Sequence, residues 1–240
     1  LDSGASGDLW WIGVNPIGGA FLLSGDGGMI LRYDLTTHQF SRDTTPGSER
    51  IYGTWGAATD DIWAVGGAVD SPDTGGVIWH YDGVRWTSLD LSGVRAGGMP
   101  QLFKVWGRAS GDVYAVGFRG IVLHWNGAAW SVVTTPNIND RQLFTVHGNA
   151  ARVGTVGGFF AEALLLEREG SGDFLLANPS NSPQLNGVFY SPDDLAVAVG
   201  NGLSVATRDV GGWTTVDEGD DDQGRDFHAV WVDAEDGIWA

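Results

Sequence analysis

The chain repeats itself, and that repeat limits its fold more than any other feature. Residues 55–66 read WGAATDDIWAVG and residues 106–117 read WGRASGDVYAVG, one frame with Trp, Gly, Asp, an aromatic, Ala, Val and Gly in register. Looser copies stand at 189–200 (FYSPDDLAVAVG), 231–240 (WVDAEDGIWA), 7–13 (GDLWWIG) and 147–157 (HGNAARVGTVG). Taking Trp10, Trp63, Tyr114, Gly154, Val197 and Trp239 as equivalent, the successive separations are 53, 51, 40, 43 and 42 residues. A period of forty-odd residues marks a supersecondary unit that buries its apolar face against the next copy.

An apolar run follows each frame, as in GVIWHYDG at 76–83 and GIVLHWNG at 120–127, and ends in a polar turn. A bulky residue returns after the turn at Phe40, Trp86, Trp130, Phe174 and Trp213, where a tight Asp-Gly or Asn-Gly hairpin places it. One repeat therefore holds four short strands, illustrated by the run Leu102 to Trp106, Asp-Val-Tyr-Ala-Val, Ile-Val-Leu-His-Trp and Trp-Ser-Val-Val. No segment sustains a 3.6-residue apolar period, so the class is all-β. Four antiparallel strands per repeat predict a β-propeller, with about five repeats and part of a sixth visible and six or seven blades in an intact ring. Trp55, Trp63, Trp106, Trp231 and Trp239 are expected in the blade interfaces. Glycine, at 38 of 240 residues, serves positive-φ hairpins and close backbone approach.

The first repeat reads as lacking its opening strand, and the last stops after two. Either Phe227 to Val232 pair with the N-terminal strands to close the ring, or further residues follow Ala240. Because Leu1 and Ala240 both fall inside repeats, residues 1–240 read as a single propeller domain truncated at one or both ends.

The segment Trp106-Gly107 to Gly117, followed by Gly120 to Gly127 and Trp130, resembles the repeat of secreted propellers abundant in myxobacteria and related bacteria. More distantly, the Asp82-Gly83-Val84-Arg85-Trp86 turn resembles the Asp-box hairpin of sialidases and of photosystem II assembly factors. His80 and His124 stand where an Asp box carries Ser or Thr, so the boxes are degenerate. The resemblance implies architecture more than activity.

Thirty acidic against 13 basic side chains give a net charge of −17. Such a chain repels a phosphate backbone and an anionic membrane surface, and no apolar run reaches the ~18 residues of a spanning helix. Cysteine is absent, which excludes disulfides, thiolate zinc sites and a cysteine nucleophile. Low Lys, high Asp and no Cys are compatible with an extracytoplasmic setting: secreted, periplasmic or surface-attached.

The antiparallel order puts the loops between second and third strands, and those between blades, on one face, and these vary most in length. Gly13 to Gly28 is fifteen residues, Gly66 to Gly76 ten, and Gly117 to Gly120 three. Variable loops on a rigid scaffold commonly carry function, which selects Asn15, Asp70, Asp73, Arg95, Phe118, Arg119, Asp220, Asp222 and Arg225 as candidate binding residues. No cofactor is expected. The acid run Asp217 to Asp226 offers hard oxygen ligands, so Asp220, Asp221 and Asp222 suit calcium, although such a run is more often a solvated loop. Asp60-Asp61 and Asp193-Asp194 read as turn formers. His80 and His124 share a repeat position with Arg32, Glu167 and Thr207, which predicts that they point alike from separate blades.

No nucleophile with a partnered base, zinc His pair, phosphate-binding loop or G-x-S-x-G elbow is present. The reading is a non-catalytic binding or scaffold module that presents variable loops to a protein or glycan partner. The alternative is a sialidase-like glycoside hydrolase, which needs arginines such as Arg95, Arg119 and Arg225 to converge.

Overall fold

Within each repeat short strand-forming runs, some alternating and some continuously apolar, are separated by turn residues, so each strand pairs with the next. A computed structural model describes residues 2–13, 17–138, 140–159, 162–217, 224–233 and 237–240. It shows five four-stranded antiparallel sheets in simple sequence order. The first holds β1 (Leu9–Ile12), β2 (Ala20–Gly25), β3 (Ile30–Asp34) and β4 (Phe40–Arg42); the second holds β5 (Arg50–Ala58), β6 (Asp61–Gly67), β7 (Gly76–Tyr81) and β8 (Trp86–Ser88). The third holds β9 (Leu102–Ala109), β10 (Asp112–Gly117), β11 (Val122–Trp125) and β12 (Trp130–Val132). The fourth holds β13 (Gln142–Gly148), β14 (Arg152–Phe159), β15 (Glu162–Glu169) and β16 (Leu175–Leu176). The fifth holds β17 (Leu185–Tyr190), β18 (Ala196–Gly200), β19 (Val205–Asp209) and β20 (Gly212–Asp217). A two-stranded sheet of β21 (Trp231–Val232) and β22 (Ile238–Trp239) follows. The helical segments among the described residues are two 3-10 turns, at Asp26–Gly28 and Phe118–Gly120.

The chain divides into two units: Leu1–Phe118 with Leu123–Val132, and Arg119–Val122 with Val133–Ala240. In the first, Leu22, Ile30, Ile51, Ile62, Ala64, Trp79 and Trp86 form a buried cluster between the first and second sheets. In the second, Val156, Leu165, Leu185, Val188, Tyr190 and Ala198 do the same between the fourth and fifth. Burying a side chain of this size contributes about 1.5–3 kcal/mol. Glycine makes the close approaches possible: a Cβ on Gly107 would lie 2.6 Å from the Trp55 ring, and one on Gly154 2.1 Å from the Tyr190 hydroxyl.

The turns follow their sequence chemistry. Asp82 accepts the amide N–H of Val84 and of Arg85 at 2.9 and 2.8 Å, and Asn126 does the same for Ala128 and Ala129. Gly83 and Gly127 adopt φ of 90° and 89°, the left-handed region these hairpins need.

Three expectations need correction. First, GDLWWIG is not a copy of the frame: Leu9–Ile12 is the opening strand β1, and the strand equivalent to β6 is β2. Leu22, not Trp10, therefore matches Trp63, and the first repeat does have its opening strand. The long segment 13–19 thus joins β1 to β2, at the opposite end of the sheet from the connection that the face argument used. Second, of the segment Phe227 to Val232 it is Trp231 and Val232 that form a strand, and their partners among the described residues are Trp239 and Ile238. Third, Trp231 and Trp239 are 45% and 62% exposed, because Val232 is the residue this sheet turns inward against Val197 and Val199 while its neighbours alternate outward.

Candidate functional site

Every first strand carries a one-residue bulge at the same place. Trp10, Tyr52, Phe103, Phe144 and Asn186 are skipped in pairing between Leu9/Trp11, Ile51/Gly53, Leu102/Lys104, Leu143/Thr145 and Leu185/Gly187. Opposite each bulge the second strand carries a glycine within its last three residues: Gly25, Gly66, Gly117, Gly157 or Gly200. A Cβ there would come within 1.9–2.2 Å of the carbonyl oxygen of Asp8, Arg50, Gln101, Gln142 or Gln184. No side chain fits that space, so the glycine holds the bulge and the bulge aims its residue out of the ladder.

In the first unit three bulged aromatics meet edge to face. Trp10 lies 5.9 Å from Tyr52, and Tyr52 lies 5.4 Å from Phe103. The Arg50 guanidinium covers Trp10 at 4.6 Å and Tyr52 at 5.8 Å while pairing with Asp26. Asp26 also accepts the Trp10 indole N–H at 2.9 Å, and that hydrogen bond, then the Arg50 charge, holds its carboxyl below the usual range.

Beside this array a cavity of about 400 Å³ opens between the β2–β3 and β6–β7 connections. Asp26, Ser48, Glu49, Arg50, Val69 and Asp70 line it. One Glu49 oxygen is buried with no hydrogen-bond partner among the described residues, and Arg50, the cation of the described lining, is already committed to Asp26. The volume lies within the ~300–1,000 Å³ of small-ligand pockets, and the lining leaves carboxylate oxygens in excess of cations.

The sequence-selected residues distribute as follows. Asp70 is exposed and lines this cavity; Asp73 is exposed in the same connection. Arg95 lines a separate cavity of about 300 Å³ with Thr74, Leu91 and Met99, and its guanidinium donates to the Gly98 carbonyl at 2.5 Å, tying its own loop together. Phe118 is half-buried and its amide donates to the Gln101 carbonyl. Arg119 sits at φ 54° and pairs loosely with Asp140 at 3.5 Å, both side chains exposed. Arg225 is exposed. Asn15, Asp220, Asp221 and Asp222 lie outside the described residues. Among the described residues no group of three or more His, Cys, Asp or Glu is placed to hold a metal ion.

Asp26, Glu49 and Arg50 were missed by sequence reasoning. The triplet of a polar residue, Leu or Ile, and an aromatic, as in Arg50-Ile51-Tyr52, Gln101-Leu102-Phe103 and Gln142-Leu143-Phe144, is the signal that marks the bulges.

At the other end of the sheets the shared position of Arg32, His80, His124 and Glu167 bonds a charged or polar partner in each of the first four blades. Arg32 pairs with Asp43 at 2.8 Å, His80 with Asp61 at 2.9 Å and His124 with Asp112 at 2.7 Å. Asp61 thus serves His80 beyond the turn role expected of it. Glu167 accepts from Tyr190 at 2.8 Å, Arg208 at 2.9 Å and the Trp213 indole at 3.3 Å. Burial, and then the Glu167 charge, push the Tyr190 phenol well above its ordinary value, so it stays neutral.

No protein-family model matches the chain, and no curated protein matches it. Among solved structures it is similar to YCF48 bound to D1 peptide, with a TM-score of 0.64 and 13% identity over 89% of this chain and 69% of that one. Four-stranded sheets in sequence order, glycine-gated bulges and this likeness define the class: a β-propeller with five full blades and part of a sixth. At 13% identity the likeness carries the fold alone.

Proposed function

We propose that this propeller is a non-catalytic binding module, acting outside the cytoplasm, that holds a protein partner through the β2–β3 and β6–β7 connections of its first two blades. One observation carries this reading: Asp26, Glu49 and Asp70 converge on one cavity whose guanidinium, Arg50, is spent on Asp26. A cavity of that kind favours Lys or Arg side chains on an extended segment of the partner, and the net charge of −17 steers such a segment toward it. The similar propeller YCF48 is bound to a peptide, which fits a protein partner better than a glycan at this face.

An array of immobilised peptides of graded charge, probed with the full chain at low and high salt, tests the reading. Lys- and Arg-containing peptides are expected to bind, more weakly at high salt, and Asp70→Asn with Glu49→Gln should weaken them at least about tenfold, which is ~1.4 kcal/mol. Preference for acidic peptides, or affinity untouched by both substitutions, overturns it.

A further inference from the structure

The second cleft worth attention lies between the second and third blades, at the opposite end of β6 from the Asp70 connection. It measures about 330 Å³ and is lined by Asp61, Trp63, His80, Thr87, Ser110 and Trp125, among others. Trp125 is half-exposed, its indole fixed by a 3.1 Å hydrogen bond to the Ser110 carbonyl, and its ring lies 5.2 Å from Trp63. His80 stacks on Trp63 at 4.2 Å and bonds Asp61 through Nε2, so Asp61 Oδ2 and His80 Nδ1 have no protein partner among the described residues.

In two other blades the indole at the matching position has a carboxylate acceptor. Trp86, Trp130 and Trp213 occupy one repeat position, facing Tyr81, Trp125 and Arg208 across their hairpins. Trp86 donates its indole N–H to Asp43 and Trp213 donates to Glu167, carboxylates of the preceding blade. For Trp130 the matching places hold Leu89 and His80, and its N–H, 6% exposed as a residue, has no acceptor. The Trp63 N–H, on a 3% exposed residue that lines the cleft, is also unpaired. Native proteins seldom leave buried N–H groups unsatisfied. In the third blade, Asp112 has both oxygens engaged, by His124 and Arg108, whereas Asp61 keeps one spare.

We propose that this cleft binds a neutral pyranose, the terminal sugar of a glycan. The Trp125 face takes the apolar C–H side of the ring, Asp61 Oδ2 accepts and His80 Nδ1 exchanges hydrogen bonds with its hydroxyls, and ring oxygens or the water they trap supply an acceptor to the Trp63 indole. Asp61 and the acidic surface select against sialic or uronic acids. The site is independent of the peptide-binding face.

Titrating the full chain with the methyl glycosides of glucose, galactose, mannose and N-acetylglucosamine at millimolar concentration, with tryptophan fluorescence and indole N–H resonances as readouts, decides the matter. At least one glycoside should give a saturable change that shifts the Trp63 indole signal. Trp125→Ala and Asp61→Asn should each weaken it at least tenfold while cationic-peptide binding and the unfolding midpoint of Asp61→Asn stay near the parent values. No saturable response to any of the four sugars, or equal affinity in both variants, overturns the proposal.

Discussion

The Lys104 ammonium stands 3.2 Å from the centre of the Trp11 ring, reaching from the third blade across the second to the first. Gly53 lies beside this path: a Cβ there would meet Lys104 Cα at 3.4 Å and Cδ at 3.5 Å, ordinary contact distances. Two effects oppose each other on the amine. The indole face favours the charged form, while burial disfavours it, and burial prevails, pulling Lys104 from 10.5 down to about 7. The unfolded chain therefore binds more protons than the folded one between pH 7 and 10.5, so this residue's contribution to stability rises with pH over that window. Lys104→Met is expected to stabilise the protein below pH 7, with the gain shrinking toward pH 10.5. Urea unfolding of both proteins at several pH values measures it; a constant difference would show that the amine titrates normally.

Glu167 is the hinge of the ionic network in the second unit, bonded to Tyr190, Arg208 and Trp213 with Arg152 at 3.7 Å. Arg152 and Arg208 are 14% and 12% exposed, so removing the carboxylate strands two guanidiniums away from bulk water. Asp194 still reaches both, at 3.1 and 3.6 Å, and softens the loss. Glu167→Ala should cost about 3–5 kcal/mol of unfolding free energy, read by urea denaturation, and Glu167→Gln less. A loss under about 1 kcal/mol, the range of exposed pairs, would show the network to be solvated.

Glycine placement makes the sharpest stability contrast. A Cβ on Gly200 would stand 2.0 Å from the Gln184 carbonyl, whereas Gly93 has open space around it and an ordinary φ. Gly200→Ala is expected to destabilise by about 1–3 kcal/mol through overpacking, and Gly93→Ala to stay within about 0.5 kcal/mol. Thermal unfolding of the two variants side by side compares them; equal midpoints would mean that the bulge opposite Gly200 relaxes freely.

The repeat, the hairpin turns and the all-β class were legible in the sequence because each rests on local chemistry. Asp82 and Asn126 cap their hairpins through backbone groups two and three residues on, and Val113 to Gly117 form a short apolar run, bounded by turn residues, that is buried along its length. The register of the first repeat was not legible. Trp10 resembles the aromatic of the frame, yet it is a bulged residue of β1, and only the approach of the Asp8 carbonyl to Gly25 tells the two apart.

The site divides the same way. Asp70 was accessible from loop length alone, and it does line the cavity of the first two blades. Of its companions, Asp26 comes from the first blade, Glu49 from the link between the blades and Arg50 from the start of β5 in the same blade as Asp70, brought together by packing between repeats. Sequence by itself determined the four-stranded unit and its recurrence, since period-two alternation and turn residues act within a few positions. Tertiary structure decided which carboxylates share a cavity and which indoles lose their acceptors, because those depend on how one blade's side chains meet the next, at distances that no spacing along the chain encodes.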